Sequence, residues 1–310
     1  MTAAAPAWDP AEDGLTARII RAGDVQMDTV VAGPAGGRRL AILLHGFPEL
    51  NLSWRAQIPA LVAAGWEVWA PNQRGYGGTT RPPRLKDYAP DRLVEDIVAL
   101  IAAARAEAPR EEIVLVAHDW GGAVGWQMAI RHADLLSGLV MMNMPHPTGF
   151  KRAIRYSAAQ RKRSWYILFF QLPRLPHWLL ARRGGAAVRR LFADTTTAPD
   201  RFPAWVLDRY AAAVAPPGAA RAMVNWYRAA IRNRRQLQGS DGGAAARVDL
   251  PVLLLWGDRD GALGHETLDG IETHVPDLER HHIPDASHWV QQDRPDEVNR
   301  LMLDWLARRF

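Results

Sequence analysis

Ala117-His118-Asp119-Trp120-Gly121-Gly122 follows the apolar, β-branched run Ile113-Val114-Leu115-Val116 and leads into an apolar-periodic stretch over 123–130. A small–x–nucleophile–x–small turn between a buried strand and a helix is a nucleophile elbow, whose small flanks, here Ala117 and Gly121, let a strained turn push one side chain into a pocket. That side chain is a carboxylate. A serine hydroxyl must lose a proton before it attacks, whereas Asp119 is ionised at pH 7. It can attack an sp³ carbon that carries a leaving oxygen or halide, and the product is an ester whose carbonyl belongs to the protein. A histidine is then needed only to activate the water that cleaves the ester, so a serine-type esterase or peptidase mechanism does not fit. Taken alone, Asp119 is equally a helix N-cap, since aspartate caps helices well.

Later segments supply partners. After the apolar run 252–256 comes Gly257-Asp258-Arg259-Asp260, and after 280–283 comes Asp285-Ala286-Ser287-His288-Trp289. His288 reads as the base, and Asp260 as the acid that fixes its tautomer. Asp258 is the rival acid, which the pattern disfavours. His281 and His282 fall inside a strand run and read as sheet-face residues. His132, His177, His265 and His274 have no motif around them. His118 adjoins the nucleophile, but alternation along the strand turns its side chain the other way, which suits support rather than catalysis. Ester hydrolysis passes through an oxyanion and needs aimed N–H donors. The amide of Trp120 is one, and that of Phe47, in the turn His45-Gly46-Phe47-Pro48 after the run 40–44, is the other.

These residues need a sheet to carry them. Short apolar runs at 17–21, 26–32, 40–44, 67–70, 113–117, 138–142, 252–256 and 280–283 alternate with helix-period segments at 53–64, 91–106, 122–131 and 296–308. That pattern predicts an α/β fold, a largely parallel sheet with helices on both faces. The alternation lapses between about 145 and 246, a stretch rich in Arg, Trp and Ala with Pro/Gly punctuation, which reads as a helical insertion. Gly239-Ser240-Asp241-Gly242-Gly243 reads as the linker back. The expected organisation is a tail at 1–15, a core at 16–145 and 246–310, and a helical cap at 146–245. With 310 residues, 48% hydrophobic, the chain can bury a large core. It has no cysteine, which excludes disulfides and thiolate metal sites. Residues 1–13 lack a basic n-region and an apolar h-region, so a disordered tail is expected rather than a signal peptide, and no run is long enough to span a membrane. The net charge of +5 is concentrated in arginine clusters at 151–163, 182–190 and 228–235. Without a nucleic-acid motif these read as solvated helix faces.

Six pieces, in order, resemble the α/β-hydrolase-fold epoxide hydrolases: His45-Gly46-Phe47-Pro48, Arg74-Gly75-Tyr76-Gly77, His118-Asp119-Trp120-Gly121-Gly122, Asn225-Trp226-Tyr227-Arg228, Gly257-Asp258-Arg259-Asp260 and Ser287-His288-Trp289. The order nucleophile, acid, histidine is that of the fold. The resemblance implies an eight-stranded, mostly parallel sheet with a cap inserted after the sixth strand. It also implies a hydrolase acting on ether bonds, which turns an epoxide into a vicinal diol. Opening an epoxide leaves an alkoxide, and the family meets it with two cap tyrosines. Tyr227 matches one; Tyr166, in Ser164-Trp165-Tyr166-Ile167, resembles the other, with Tyr156 as the rival. The cycle this implies is alkylation of Asp119 while Tyr166 and Tyr227 hold the oxygen, then hydrolysis by water activated by His288.

Pocket residues are expected at His45, Pro48, Trp165, Phe169, Phe170, Trp226 and Trp289, with Trp178 as a further aromatic. No metal-ligand cluster and no phosphate loop is read, so no cofactor and no metal are expected. The expected partners are a small apolar epoxide and water, with no nucleic acid and no spanning segment; a homodimer is a candidate assembly, and the cytoplasm the default location. Two rival functions are a haloalkane or haloacid dehalogenase of the same fold, in which Trp120 would serve a halide, and a non-catalytic ligand receptor. Phe47 offers no second side-chain donor for a halide, and Trp120 stands where the fluoroacetate type has an arginine.

Overall fold

Runs with almost no polar residue suit strands buried on both faces, and the sheet is built around them. The structure is a computed structural model that describes residues 15–233 and 247–310. Its eight strands are β1 (Thr16–Ala22), β2 (Val25–Ala32), β3 (Arg39–Leu44), β4 (Glu67–Pro71), β5 (Glu112–His118), β6 (Gly138–Met142), β7 (Val252–Gly257) and β8 (Leu278–Ile283). Their spatial order is β1-β2-β4-β3-β5-β6-β7-β8. The pairs β1·β2 and β2·β4 are antiparallel and the others parallel. All eight expected runs are strands, within about two residues at each end.

Alternation along the central strands splits their side chains between two cores. Ile42, Leu44, Leu115, Ala117, Leu139, Met141, Leu254 and Trp256 face one way. There they meet Leu93, Ile97 and Ile101 of α2 (Pro90–Glu107) and Val124 and Met128 of α3 (Asp119–Arg131). Ala41, Leu43, Val114, Val116, Val140, Met142, Leu253 and Leu255 face the other way. They meet Ile58 and Leu61 of α1 (Gln57–Ala63) and Val298, Met302 and Trp305 of a C-terminal helix, Pro295–Arg309. The helix expected over 53–64 is broken: a single 3₁₀ turn, Asn51–Trp54, precedes α1. The helix expected from 122 starts at Asp119, because the turn at the end of β5 passes directly into α3.

Between β6 and β7 the described residues hold helices and no strand: α4 (Pro147–Tyr156), α5 (Ala158–Arg163), α6 (Trp165–Phe169), α7 (Leu175–Thr195), α8 (Ala204–Ala213) and α9 (Ala219–Arg232). Within α7, Arg182–Gly185 leave helical geometry and kink it into two pieces. Phe192, Tyr210, Met223 and Trp226 from this segment join the same apolar core as α2 and α3, so the insertion packs down onto the sheet's carboxyl edge. The linker expected at 239–243 and residues 1–14 of the expected tail lie outside the described residues. No described helix is long and apolar enough to cross a membrane. After β8 come α10 (Val290–Asp293) and α11, the C-terminal helix already described.

Candidate active site

The end of β5 sets the site. Asp119 has φ 47°, in the left-handed region that disfavours a β-carbon, and the packing around it needs glycine twice. A Cβ at Gly121 would overlap the Leu44 carbonyl oxygen, and one at Gly46 would overlap the Asp119 side chain. The elbow can therefore press against the turn after β3. That contact delivers the Phe47 amide, which donates to Asp119 Oδ1 at 2.7 Å. The other carboxylate oxygen, Oδ2, lies 3.5 Å from His288 Nε2.

His288 follows β8, and its Nδ1 faces Asp260 Oδ2 at 2.7 Å. Asp260 is itself fastened: Asn143 Nδ2 donates to Oδ2 at 2.8 Å, and the amides of Ala262 and Leu263 donate to Oδ1 at 2.7 and 2.9 Å. The rival, Asp258, is taken by two surface histidines, 2.7 Å from His282 Nδ1 and 3.4 Å from His265 Nε2. The donor atoms of Asp258, His265 and His282 lie within 4.8 Å of one another. This is a cluster of potential metal ligands where sequence reading expects none, because its members come from two loops and a strand.

Burial opposes charge on all three groups, and the charges overcome it together. Burial on its own would depress the His288 pKa, but the Asp260 and Asp119 carboxylates hold it well above the usual imidazole range. Burial would raise the pKa values of Asp119 and Asp260, yet both stay below the usual carboxylate range, held there chiefly by His288. In the resting site, then, an imidazolium sits between two carboxylates.

A second charge layer lies underneath. His118 Nδ1 is 2.8 Å from Glu49 Oε2, and Nε2 is 2.8 Å from the His288 carbonyl oxygen. Both ring nitrogens are therefore taken, one by a side chain and the other by a backbone carbonyl. Glu49 is fully buried and also accepts from the Gly46 amide and from Gln291 and Gln292. The His118 charge contributes to the lowered pKa of Asp119. Sequence reading placed His118 in support but missed Glu49, Asn143 and the two glutamines, which have no local signature. The clue available was Glu49 itself, an acid one residue after a proline turn in an apolar setting.

Above Asp119 opens an apolar cavity of about 440 Å³. Tyr166 and Tyr227 line it together with Asp119, Trp120, Phe150, Ile154 and Leu263. The two phenol rings stand 5.9 Å apart, nearly perpendicular. Burial, with the Asp119 charge as the next cause, keeps both phenols far above their ordinary pKa, so both stay protonated. The Trp120 and Tyr227 rings meet edge to face, with centroids 4.9 Å apart. Arg228 pins this arrangement by donating to the carbonyls of Phe170 and Leu172, which ties the end of α6 to α9. Tyr156, the rival second phenol, points outward under Arg155; Tyr210 bonds Gln292.

The expected pocket wall is a correction. None of His45, Pro48, Trp165, Phe169, Phe170, Trp226 or Trp289 is among the residues that line the cavity. His45 is wholly buried, its Nε2 accepting from the Gln73 amide. Pro48 is buried in the turn after β3, on a cis bond from Phe47. Phe170 packs behind Phe47 and Tyr227, and Phe169 lies between Trp165 and Phe170. Trp226 donates to the Arg74 carbonyl behind Trp120, and Trp289 donates to Thr195 Oγ1. Trp165 and Trp178 face solvent. Aliphatic and proline side chains supply much of the wall instead. The Arg74-Gly75-Tyr76-Gly77 motif is structural: Arg74 makes a buried pair with Asp96, and Tyr76 packs on His45 and Trp226.

The alpha/beta hydrolase fold family matches residues 41–295. Epoxide hydrolase A of Mycobacterium tuberculosis is 34% identical over 325 aligned positions, covering 94% of this chain and 97% of that protein. An AB hydrolase superfamily protein of Bacillus subtilis, YfhM, is 33% identical, covering 96% of this chain and all of its own length. The crystal structure of a Bacillus megaterium epoxide hydrolase in complex with an inhibitor superposes with a TM-score of 0.83 at 30% identity, covering 94% of this chain and all of that one. The chain belongs to the epoxide hydrolases of the alpha/beta hydrolase fold. In this hydrolase the tyrosine-lined cavity meets the elbow carboxylate under the helical segment, which is the arrangement that an epoxide, with one electrophilic carbon and one basic oxygen, requires at its two ends.

Proposed function

We propose that this enzyme hydrolyses a small apolar epoxide to a vicinal diol through an ester on Asp119. The observation that carries the reading is the apolar cavity with a carboxylate at its floor and two protonated phenols in its wall. Asp119 Oδ2 attacks a ring carbon while Tyr166 and Tyr227 donate to the departing oxygen, so the C–O bond breaks as the ester C–O bond forms. Oδ1, already on the Phe47 amide, becomes the ester carbonyl oxygen.

Ester formation removes the Asp119 charge. His288 then keeps only Asp260 as a partner, and its excess proton, passed to solvent or to the alkoxide, balances the charge created on ring opening. The neutral imidazole takes a proton from water, which attacks the ester carbon. The oxyanion forms at Oδ1 against Phe47 and the Trp120 amide, and collapse releases the diol and restores the Asp119 carboxylate. The same reading makes 146–245 a cap on a core of 16–145 and 246–310, keeps the cytoplasm as the location and a homodimer as a candidate assembly.

The dehalogenase reading needs a second side-chain donor for the halide beside Trp120, and Phe47, whose backbone amide meets Asp119, offers none. Diol formation from styrene oxide, set beside halide release from a chloroalkane, tests the assignment. Diol without halide release is expected; halide release alone, or neither product, overturns it.

A further inference from the structure

Residues 135–193 contain 11 lysines and arginines and no aspartate or glutamate, so the rest of a chain with net charge +5 sums to −6. The imbalance belongs to one part of the fold, α4 to α7. A few of these charges meet acids elsewhere, as Arg152 with Asp269, Arg163 with Glu266 and Arg189 with Asp208. Lys151 lines the cavity; the proposed reaction assigns no role to the other ten.

The same region exposes apolar surface. Residues 165–172, Trp-Tyr-Ile-Leu-Phe-Phe-Gln-Leu, contain one polar side chain. Tyr166 and Ile167 line the cavity, and Phe170 is buried against Phe47. On the outer side Trp165, Leu168, Leu172, Leu175 and Trp178 are each between 42% and 72% exposed. A helix that is apolar all round is ordinarily buried on all sides, and a cluster of large exposed apolar side chains rimmed by polar ones marks a contact surface. The Arg182 guanidinium lies 4.5 Å over the Trp178 ring, so cation and aromatic sit side by side.

We propose that α6, the turn after it and the first turns of α7 dock this protein onto an anionic lipid surface. Trp165, Leu168, Leu172, Leu175 and Trp178 enter the headgroup region, and basic side chains such as Arg155 of α4, Lys162 of α5 and Arg182 of α7 meet the lipid phosphates. Tryptophan and leucine beside lysine and arginine are the side chains that occupy this depth of a bilayer. Charge also discriminates among occupants. A second copy of this chain would bring two strongly basic faces together. A nucleic acid would satisfy the arginines and leave three leucines against a phosphate backbone. The cavity wall and the docking face are two sides of one helix, which places the surface beside the site.

The chain's lack of cysteine gives a clean test. Leu168→Cys and, as a control on the outer side of α2, Glu95→Cys are each labelled with an environment-sensitive fluorophore. They are mixed with vesicles of phosphatidylcholine alone or with phosphatidylglycerol, while co-sedimentation measures binding of the unlabelled protein. Binding to the anionic vesicles is expected, with a blue shift at 168 and none at 95. It should weaken as salt is raised, fall by roughly fivefold for each of Arg155→Ala and Lys162→Ala, and be lost in Leu168→Ser/Trp178→Ser. Circular dichroism verifies that the variants fold. The proposal is overturned by equal binding to neutral vesicles, by no binding, or by binding that survives Leu168→Ser/Trp178→Ser. It is also overturned by a dimer in light scattering that this variant abolishes, or by single-stranded RNA that binds the same face and displaces the vesicles. Every readout is binding, so failure here leaves the hydrolytic reading untouched.

Discussion

Esterification of Asp119 replaces a carboxylate by a neutral group of nearly the same shape, and Asp119→Asn does the same in the resting protein. The proposed cycle depends on what that change does to His288. Its Nε2 lies 3.5 Å from Asp119 Oδ2. Two unit charges at that separation interact by about 5 kcal/mol at an effective dielectric of about 20. That energy corresponds to a change on the order of 10³-fold in the proton affinity of the imidazole. In the resting enzyme the two carboxylates together overcome the burial that would otherwise depress the His288 pKa. With Asp119 neutral, burial opposes Asp260 alone. The sign is therefore downward: the ring that is an imidazolium in the resting site becomes a neutral base once the nucleophile is alkylated. Nitrogen NMR of the histidine side chains, followed against pH in the wild type and in Asp119→Asn, measures this directly. The His288 resonance should titrate far above the usual imidazole range in the wild type and lower in the variant by roughly that factor. A midpoint that stays in place, or moves up, refutes the idea that alkylation itself switches His288 from cation to base.

The other predictions concern single parts of the site and the scaffold. In His288→Gln, ester hydrolysis should slow by roughly 10²–10⁴ while alkylation continues, so intact-protein mass spectrometry after addition of an epoxide should show the protein heavier by one epoxide; an unchanged mass counts against an ester on Asp119. Tyr227→Phe and Tyr166→Phe should each slow ring opening in single-turnover experiments by up to ~10²–10³ and leave ester hydrolysis intact; slowed hydrolysis with normal alkylation would move both phenols out of the ring-opening step. At the far edge of the sheet, burial would raise the Glu67 pKa, but Arg110, the Trp69 indole and the Gly37 amide hold it below the usual range. A lowered pKa means stability that is present above the unfolded-state value, about 4.3, and lost as pH falls through the folded one. Glu67→Gln should thus cost about 3–5 kcal/mol near neutrality, and its gap from the wild type in denaturant unfolding should close as the solution is made acidic; a constant gap would mean that the lost contacts, not the charge, carry the effect.

The eight strands were legible because parallel strands buried on both faces leave runs with almost no polar residue, and 113–117 or 252–256 admit no surface-helix reading. The start of α3 was not legible. Gly121 and Gly122 look like helix breakers, and only the approach of Leu44 and Met144 explains why glycine is needed there. The elbow, the acid and the histidine could be found because each lies within a few residues of a strand end, where the fold leaves few directions for a side chain. The pocket wall could not. Within Trp165-Tyr166-Ile167-Leu168 neighbouring side chains point to opposite sides of one short helix. Which side faces the nucleophile is set by Arg228 holding the carbonyls of Phe170 and Leu172, a contact across more than fifty residues. Aromatic content was a poor guide for the same reason: Trp226 is spent on the Arg74 carbonyl and Trp165 is left in solvent.

The two histidines show where local pattern and function part. Alternation along β5 turns the His118 ring away from the cavity, as sequence reading held. Below the sheet edge it meets Glu49 from the turn after β3 and the carbonyl of His288 from the loop after β8. Three loops distant in sequence are thus tied together beneath Asp119. The buried Asp119 carboxylate, on a backbone at φ 47°, is met from more than one direction: the Phe47 amide on Oδ1, His288 beside Oδ2, and His118 behind them. His118, with one nitrogen on Glu49 and the other on the His288 carbonyl, ties the turn after β3 to the loop that carries His288, and so holds that loop in place while the His288 proton comes and goes.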